Sequence, residues 1–154
     1  MSVIVLDYKA SVPSNSFGGT APVPIPQIPS QLQVADLGLF IPQVSPATTN
    51  NRVYLSADVS ISAAVGSLFN NGVIFRIYRD GVEIFNTLEG VQRAPASPTE
   101  YNVTFSTVDE NVPSGFHVYK LVVQAIIANN APAVFTIAQV IGPVTFSGLA
   151  VGTT

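Results

Sequence analysis

The sequence predicts an all-β fold, an antiparallel β-sandwich with an extended proline-rich N-terminal arm. Three observations lead there. Apolar and polar residues alternate at period two over long stretches. Turn-forming residues interrupt the chain about every ten residues, and no stretch carries the apolar period of an amphipathic helix.

The elements follow in chain order. Residues 3–8 read as a short strand. Pro22-Val23-Pro24-Ile25-Pro26 then places proline at alternate positions, which fixes φ, removes backbone donors and favours extended polyproline-II geometry. Residues 1–50 hold seven of the twelve prolines and only three charges, Asp7, Lys9 and Asp36. This composition divides the chain into an arm, residues 1–31, and a sandwich domain, residues 32–154. Val23, Ile25, Ile28 and Leu32 give the arm apolar anchors that a disordered tail would lack.

Residues 34–41 read as the first strand of the domain. From Arg52 onward Val53, Leu55, Ala57, Val59, Ile61, Ala63 and Val65 alternate with more polar neighbours, the pattern of a long half-buried strand. Asn70-Asn71-Gly72 is a turn, residues 73–78 a strand, and Asp80-Gly81 a hairpin turn into a return strand over residues 82–85. Ala94-Pro95-Ala96-Ser97-Pro98 breaks the chain before Tyr101, Val103, Phe105 and Thr107 resume the alternation. A loop at residues 109–115 leads into the apolar run 116–128, then Asn129-Asn130, a strand at 134–141, the Gly142-Pro143 break and a last strand at 144–151. About eight strands of this spacing make a jelly roll the first choice, and leave an immunoglobulin-like sandwich open.

Composition excludes several functions. Of the 154 residues 47% are hydrophobic and only 10% charged, far below the roughly 25% of an average soluble domain, which favours close association of copies. Six basic residues form no stripe for a phosphate backbone, so no nucleic-acid partner is expected. The absence of cysteine rules out disulfides and thiolate metal sites. No window approaches the roughly 20 apolar residues of a membrane-spanning helix, and the four-residue apolar run at residues 3–6 is too short for a signal peptide. The expectation is a chain made in a cytoplasm, with no membrane partner.

Catalytic chemistry is not expected either. His117 is the only histidine, lies in a strand pattern and accompanies no Gly-x-Ser-x-Gly elbow. Asp109, Glu110 and Asn111, and the pair Asp80 and Glu83, lack the ligand density of a calcium loop and read as solvated turn residues. Asn102-Val103-Thr104 has the form of a glycosylation acceptor but sits in a strand pattern. The expectation is no enzyme, no cofactor and no metal.

Three stretches carry a resemblance: residues 75–85, Phe-Arg-Ile-Tyr-Arg-Asp-Gly-Val-Glu-Ile-Phe; residues 111–119, Asn-Val-Pro-Ser-Gly-Phe-His-Val-Tyr; and residues 142–150, Gly-Pro-Val-Thr-Phe-Ser-Gly-Leu-Ala. Together they resemble exosporium and spore-surface proteins of Bacillus-type bacteria, of the exosporium protein C kind. The resemblance implies a jelly roll like those of the tumour-necrosis-factor and C1q class, located on the spore surface. It also implies assembly in the mother-cell cytoplasm without a signal peptide, and it carries no catalytic residues.

The expected function is a structural subunit of a spore surface layer or appendage fibre, a homo-oligomer or polymer of itself with other spore-surface proteins as further partners. Val3, Ile4, Val5 and Leu6, with Val23, Ile25 and Ile28, are the candidate assembly residues, docking on a neighbour by strand addition. The alternatives are a trimeric carbohydrate- or protein-binding module and a phage or viral capsid-type protein.

Overall fold

Nine strands occur among the described residues: β1 (Val3–Ser14), β2 (Val23–Pro24), β3 (Leu32–Ile41), β4 (Arg52–Ala63), β5 (Asn71–Arg79), β6 (Val82–Val91), β7 (Thr99–Glu110), β8 (Gly115–Ile127) and β9 (Ala138–Thr153). The structure, a computed structural model, describes residues 2–43, 50–63, 71–91, 99–127 and 138–153, and no helix lies among them. The expected features at Asn70, at residues 94–98 and at residues 128–137 lie outside the described residues.

All pairings between strands are antiparallel. One sheet has the order β1-β9-β4-β7, with β2 also paired to β9, and the other has the order β3-β8-β5-β6. Apart from the β5–β6 hairpin and the β1–β2 pair, each step along the chain crosses from one sheet to the other. Two sheets with four long strands each, interleaved in this way with β2 as a short fifth strand of the first, are a jelly roll, which settles the choice against the immunoglobulin-like topology.

The β4 alternation holds from Val53 to Ala63, except that Ser60 is buried as well; Val65 lies outside the described residues. Val53, Leu55, Ala57, Val59, Ile61 and Ala63 are all buried, while Tyr54 and Ser56 point to solvent. Leu39 and Ile41, Phe75 and Ile77, Tyr119 and Leu121, and Phe146 meet them from the neighbouring strands. Each large side chain so buried contributes about 1.5–3 kcal/mol of transfer free energy. The hairpin at Asp80-Gly81 has positive φ at both residues, 48° and 85°, as a two-residue turn matched to right-handed strand twist requires.

Four differences from the sequence expectation have physical causes. Asn71 and Gly72 begin β5 rather than forming a turn, because both β6 and β8 pair with them. β6 runs on to Val91 although residues 86–90 carry no strand signal, since pairing with β5 holds them extended. Gly142-Pro143 does not end a strand: β9 continues through a register shift opposite Ser60, and Pro143 sits where the ladder is locally open and no donor is needed. The fourth difference is the arm. β1 is twelve residues long and pairs with β9 of the same chain from Val3 to Ser14, so residues 3–14 are an edge strand of the sandwich.

Candidate functional site

The proline-rich segment is also built into the sandwich. Val23 and Pro24 pair with Val140 and Gln139 beyond the end of β1. Ile25 donates its N–H to the Ala138 carbonyl at 2.9 Å and is only 2% exposed, within the core. The chain then crosses to the other sheet, where the Ala125 N–H donates to the Pro26 carbonyl at 2.8 Å and the Ile28 N–H donates to the Ala125 carbonyl at 3.2 Å. One connection thus lengthens the edges of both sheets and places Ile25 between them. The boundary expected after residue 31 is corrected: no separate arm precedes the domain.

The seven candidate assembly residues therefore separate. Ile25 is core, Leu6 packs against the core, and Ile4 and Val23 are half-buried. Val3, Val5 and Ile28 remain exposed. The backbone ladder that strand addition would use on β9 is occupied by the chain's own β1.

Asp7, one of the three charges of residues 1–50, ties β1 to the edge of the other sheet. A bulge between Val5 and Asp7 turns its carboxylate toward the other sheet. There Oδ2 accepts from the Phe40 N–H of β3 at 2.8 Å, and Oδ1 accepts from the Tyr8 N–H at 2.8 Å.

A second polar cluster lies at the end of the sandwich where β5 turns into β6 and β7 into β8. Arg79 donates to both carboxylate oxygens of Asp109, at 2.9 and 2.7 Å, and the Tyr119 hydroxyl donates to Asp109 Oδ2 at 2.9 Å. Burial, then the charge of Asp109, push the Tyr119 phenol well above its usual range. Burial opposes the charge on Arg79, yet its hydrogen bond and attraction to Asp109 hold its pKa above the ordinary value.

His117 and Asp80 complete this cluster. His117 is buried, with Nδ1 2.6 Å from Asp80 Oδ2 and Nε2 2.7 Å from the Pro113 carbonyl. The Pro113 carbonyl can only accept, so Nε2 donates to it. The His117 hydrogen bond holds the Asp80 carboxyl below its usual range against a smaller opposing effect of burial, helped by the Val118 N–H. Asn51 clamps the same end, donating to the Val112 carbonyl and accepting from the Val112 N–H, each at 2.7 Å.

These contacts tie the β5–β6 hairpin, the β7–β8 turn and the start of β4 into one unit. Both imidazole nitrogens are engaged by Asp80 and Pro113, which suits a clamp. The reading of Asp109 as a solvated turn residue is corrected, since its side chain is 10% exposed and sits in β7 facing Arg79. Glu110 points away from it, to Arg52 at 3.2 Å, and Glu83 pairs with Arg76 at 2.6 Å. Among the described residues no three His, Cys, Asp or Glu side chains gather as a metal site. Asn102 accepts from the Ser60 hydroxyl at 2.9 Å on the face of β7. The usable signal for the cluster was the inward period of β8, which puts His117 and Tyr119 on the same face as Leu121 and Val123. Buried polar groups at such positions require partners.

No protein-family description and no curated protein matches the chain. Solved structures do match. Over 95% of its length the chain is similar to a chain of the T13 particle of infectious bursal disease virus, with 8% identity and a TM-score of 0.54, and it spans 34% of that chain. A likeness to dimeric latent PorU from Porphyromonas gingivalis has a TM-score of 0.35 at 8% identity, over 96% of this chain and 13% of that one. Another, to the Gx strain of infectious bursal disease virus, has a TM-score of 0.25 at 9% identity, over 98% and 40%. The first supports the β-sandwich fold.

Proposed function

We propose that the chain is a non-catalytic structural subunit that assembles with copies of itself. The observation that carries this reading is the disposition of charge. Lys9, Arg52, Arg76 and Arg79 each lie within 4 Å of a carboxylate of their own chain: Asp7, Glu110, Glu83 and Asp109 respectively. In a chain with 10% charged residues, such internal pairing leaves little field to keep copies apart.

The array is the surface layer or appendage of a bacterial spore, a placement that rests on the resemblance of residues 75–85, 111–119 and 142–150. A second reading, a subunit of a capsid-like particle, draws on the fold likeness to the virus-particle chain. Electron microscopy and light scattering of the purified chain separate them. Fibres or sheets support the first reading and closed shells the second. A discrete trimer whose melting temperature rises with a saccharide would replace both with a binding module. A monomer of 16.2 kDa at high concentration would contradict self-assembly. Removing residues 1–31 cannot serve as the test, because it takes away an edge strand and Ile25.

A further inference from the structure

The two outer faces of the sandwich differ in charge. On the outer face of β3, β8, β5 and β6, exposed Phe40 and Phe116 lie in register at one end; beyond them Asp36 pairs in register with Lys120, and Arg76 with Glu83 and Gln124 forms a charged network. On the outer face of β1, β9, β4 and β7 the middle rows are small and neutral, as in Ala10-Ser147-Ser56-Ser106. The one charge among them, Asp58, accepts hydrogen bonds from Thr104 and Thr145. The next row is apolar across all four strands: Tyr8, Leu149, Tyr54 and Val108 lie side by side in register. Tyr8, Tyr54 and Val108 are 58%, 43% and 43% exposed.

We infer that this face is the contact surface between two copies of the chain, stacked sheet on sheet through the Tyr8–Leu149–Tyr54–Val108 row. The inference deepens the self-assembly reading and rests on it. Four strands spaced about 4.8 Å apart and about twelve residues long cover on the order of 800 Å², the area each partner contributes to a standard stable interface. A two-fold contact needs a patch complementary to itself, which a flat apolar row bordered by neutral hydroxyls provides. With the axis along the strands between β9 and β4, the middle of the sheet, Tyr54 of each copy meets Leu149 of the other and Tyr8 meets Val108, with Arg52 and Glu110 at one corner of the contact. A depression of about 460 Å³ beside this corner, lined in part by Val3, Tyr54 and Val151, offers room for a partner's side chain.

The lateral edge of the same sheet is less suited. β7 carries Glu100 near one end and Glu110 at the other, so an antiparallel β7–β7 contact would bring like charges together.

The test uses the whole chain and its lack of cysteine. Ser56→Cys places a thiol in the middle of the proposed contact, and Leu88→Cys places one on the opposite outer face, where Leu88 is exposed. In assembled protein, maleimide labelling of Ser56→Cys is expected to slow on the order of tenfold or more relative to dilute monomer, and that of Leu88→Cys to stay unchanged. Sedimentation of Tyr54→Glu, with circular dichroism to confirm the fold, is expected to show association weakened about 100-fold, or ~2.7 kcal/mol. Protection of Leu88→Cys but not Ser56→Cys, with Tyr54→Glu assembling normally, would overturn the face assignment and leave self-assembly standing. A wild-type chain that stays monomeric would overturn both, and protection only on adding lipid vesicles would assign the row to a membrane surface instead.

Discussion

The two lateral margins of the sandwich are closed by different means. Along β1 and β3 the chain itself runs from one sheet to the other, with Ile25 between the sheets and Asp7 accepting a backbone N–H from the facing edge strand. Along β6 and β7 the described contacts between the sheets are made by side chains. Phe105 stacks on Phe85 at 5.6 Å and tilts against Phe75 at 5.5 Å. The first margin is held by backbone hydrogen bonds and a buried plug, the second by aromatic rings, Phe75 buried and Phe85 and Phe105 half-exposed, beside strands that carry Glu83, Glu89, Glu100 and Glu110. Proline-rich composition, which alone suggests a free arm, here belongs to a margin held by backbone hydrogen bonds.

Substitutions on the two sides should rank accordingly. Ile25→Ala leaves a cavity between the sheets and is expected to cost about 3 kcal/mol in denaturant unfolding, the range for large-to-small core changes. A loss under 1 kcal/mol would mean the crossover is a loose strap. Phe105→Ala removes both ring contacts from a half-exposed position and is expected to cost about 2 kcal/mol. If it exceeded Ile25→Ala, the order of the two margins would be reversed. Asp7→Ala withdraws the acceptor from the Phe40 and Tyr8 amides, for an expected loss of about 1 kcal/mol and faster hydrogen exchange at Phe40.

The smallest effect is a dependence on acid. Asp80 and Glu83 have folded pKa values below their ordinary values of 3.8 and 4.5: the His117 hydrogen bond acts on Asp80, and the Asn86 hydrogen bond, then Arg76, on Glu83. A depressed carboxyl stabilises the fold above its unfolded pKa, and the contribution disappears as pH falls through the folded pKa. Melting temperature is therefore expected to be insensitive to these groups at neutral pH and to drop below about pH 4. Asp80→Asn should make that acid limb shallower. An unchanged limb would show that the Asp80–His117 contact does not depend on the carboxylate charge.

Much of the fold was legible because alternation is local. The buried set of β4, the strand at Tyr101 and the Asp80-Gly81 turn each follow from residues within a few positions of one another. β1 beyond Tyr8 was not legible: Lys9, Ala10 and Ser11 have no apolar period, and β9 supplies their order across more than a hundred residues of sequence. Ile25 reads as an anchor, but whether an anchor enters its own core or a neighbour's depends on where the chain crosses between sheets. The Arg79–Asp109–Tyr119 cluster draws on three strands, and only the inward period of β8 hinted at it. The apolar row on the outer face was equally hidden, because Tyr8, Leu149, Tyr54 and Val108 become neighbours only through strand order.

The central structural claim is that residues 3–14 are a sheet edge within their own chain. Amide hydrogen exchange by NMR, on protein dilute enough to be monomeric, tests it most directly. The amides of β1 that face β9, and that of Ile25, should be protected to a degree approaching the β4 amides. Exchange at these positions as fast as in an unstructured peptide, with β4 still protected, would contradict it and restore the N-terminal segment as a free arm.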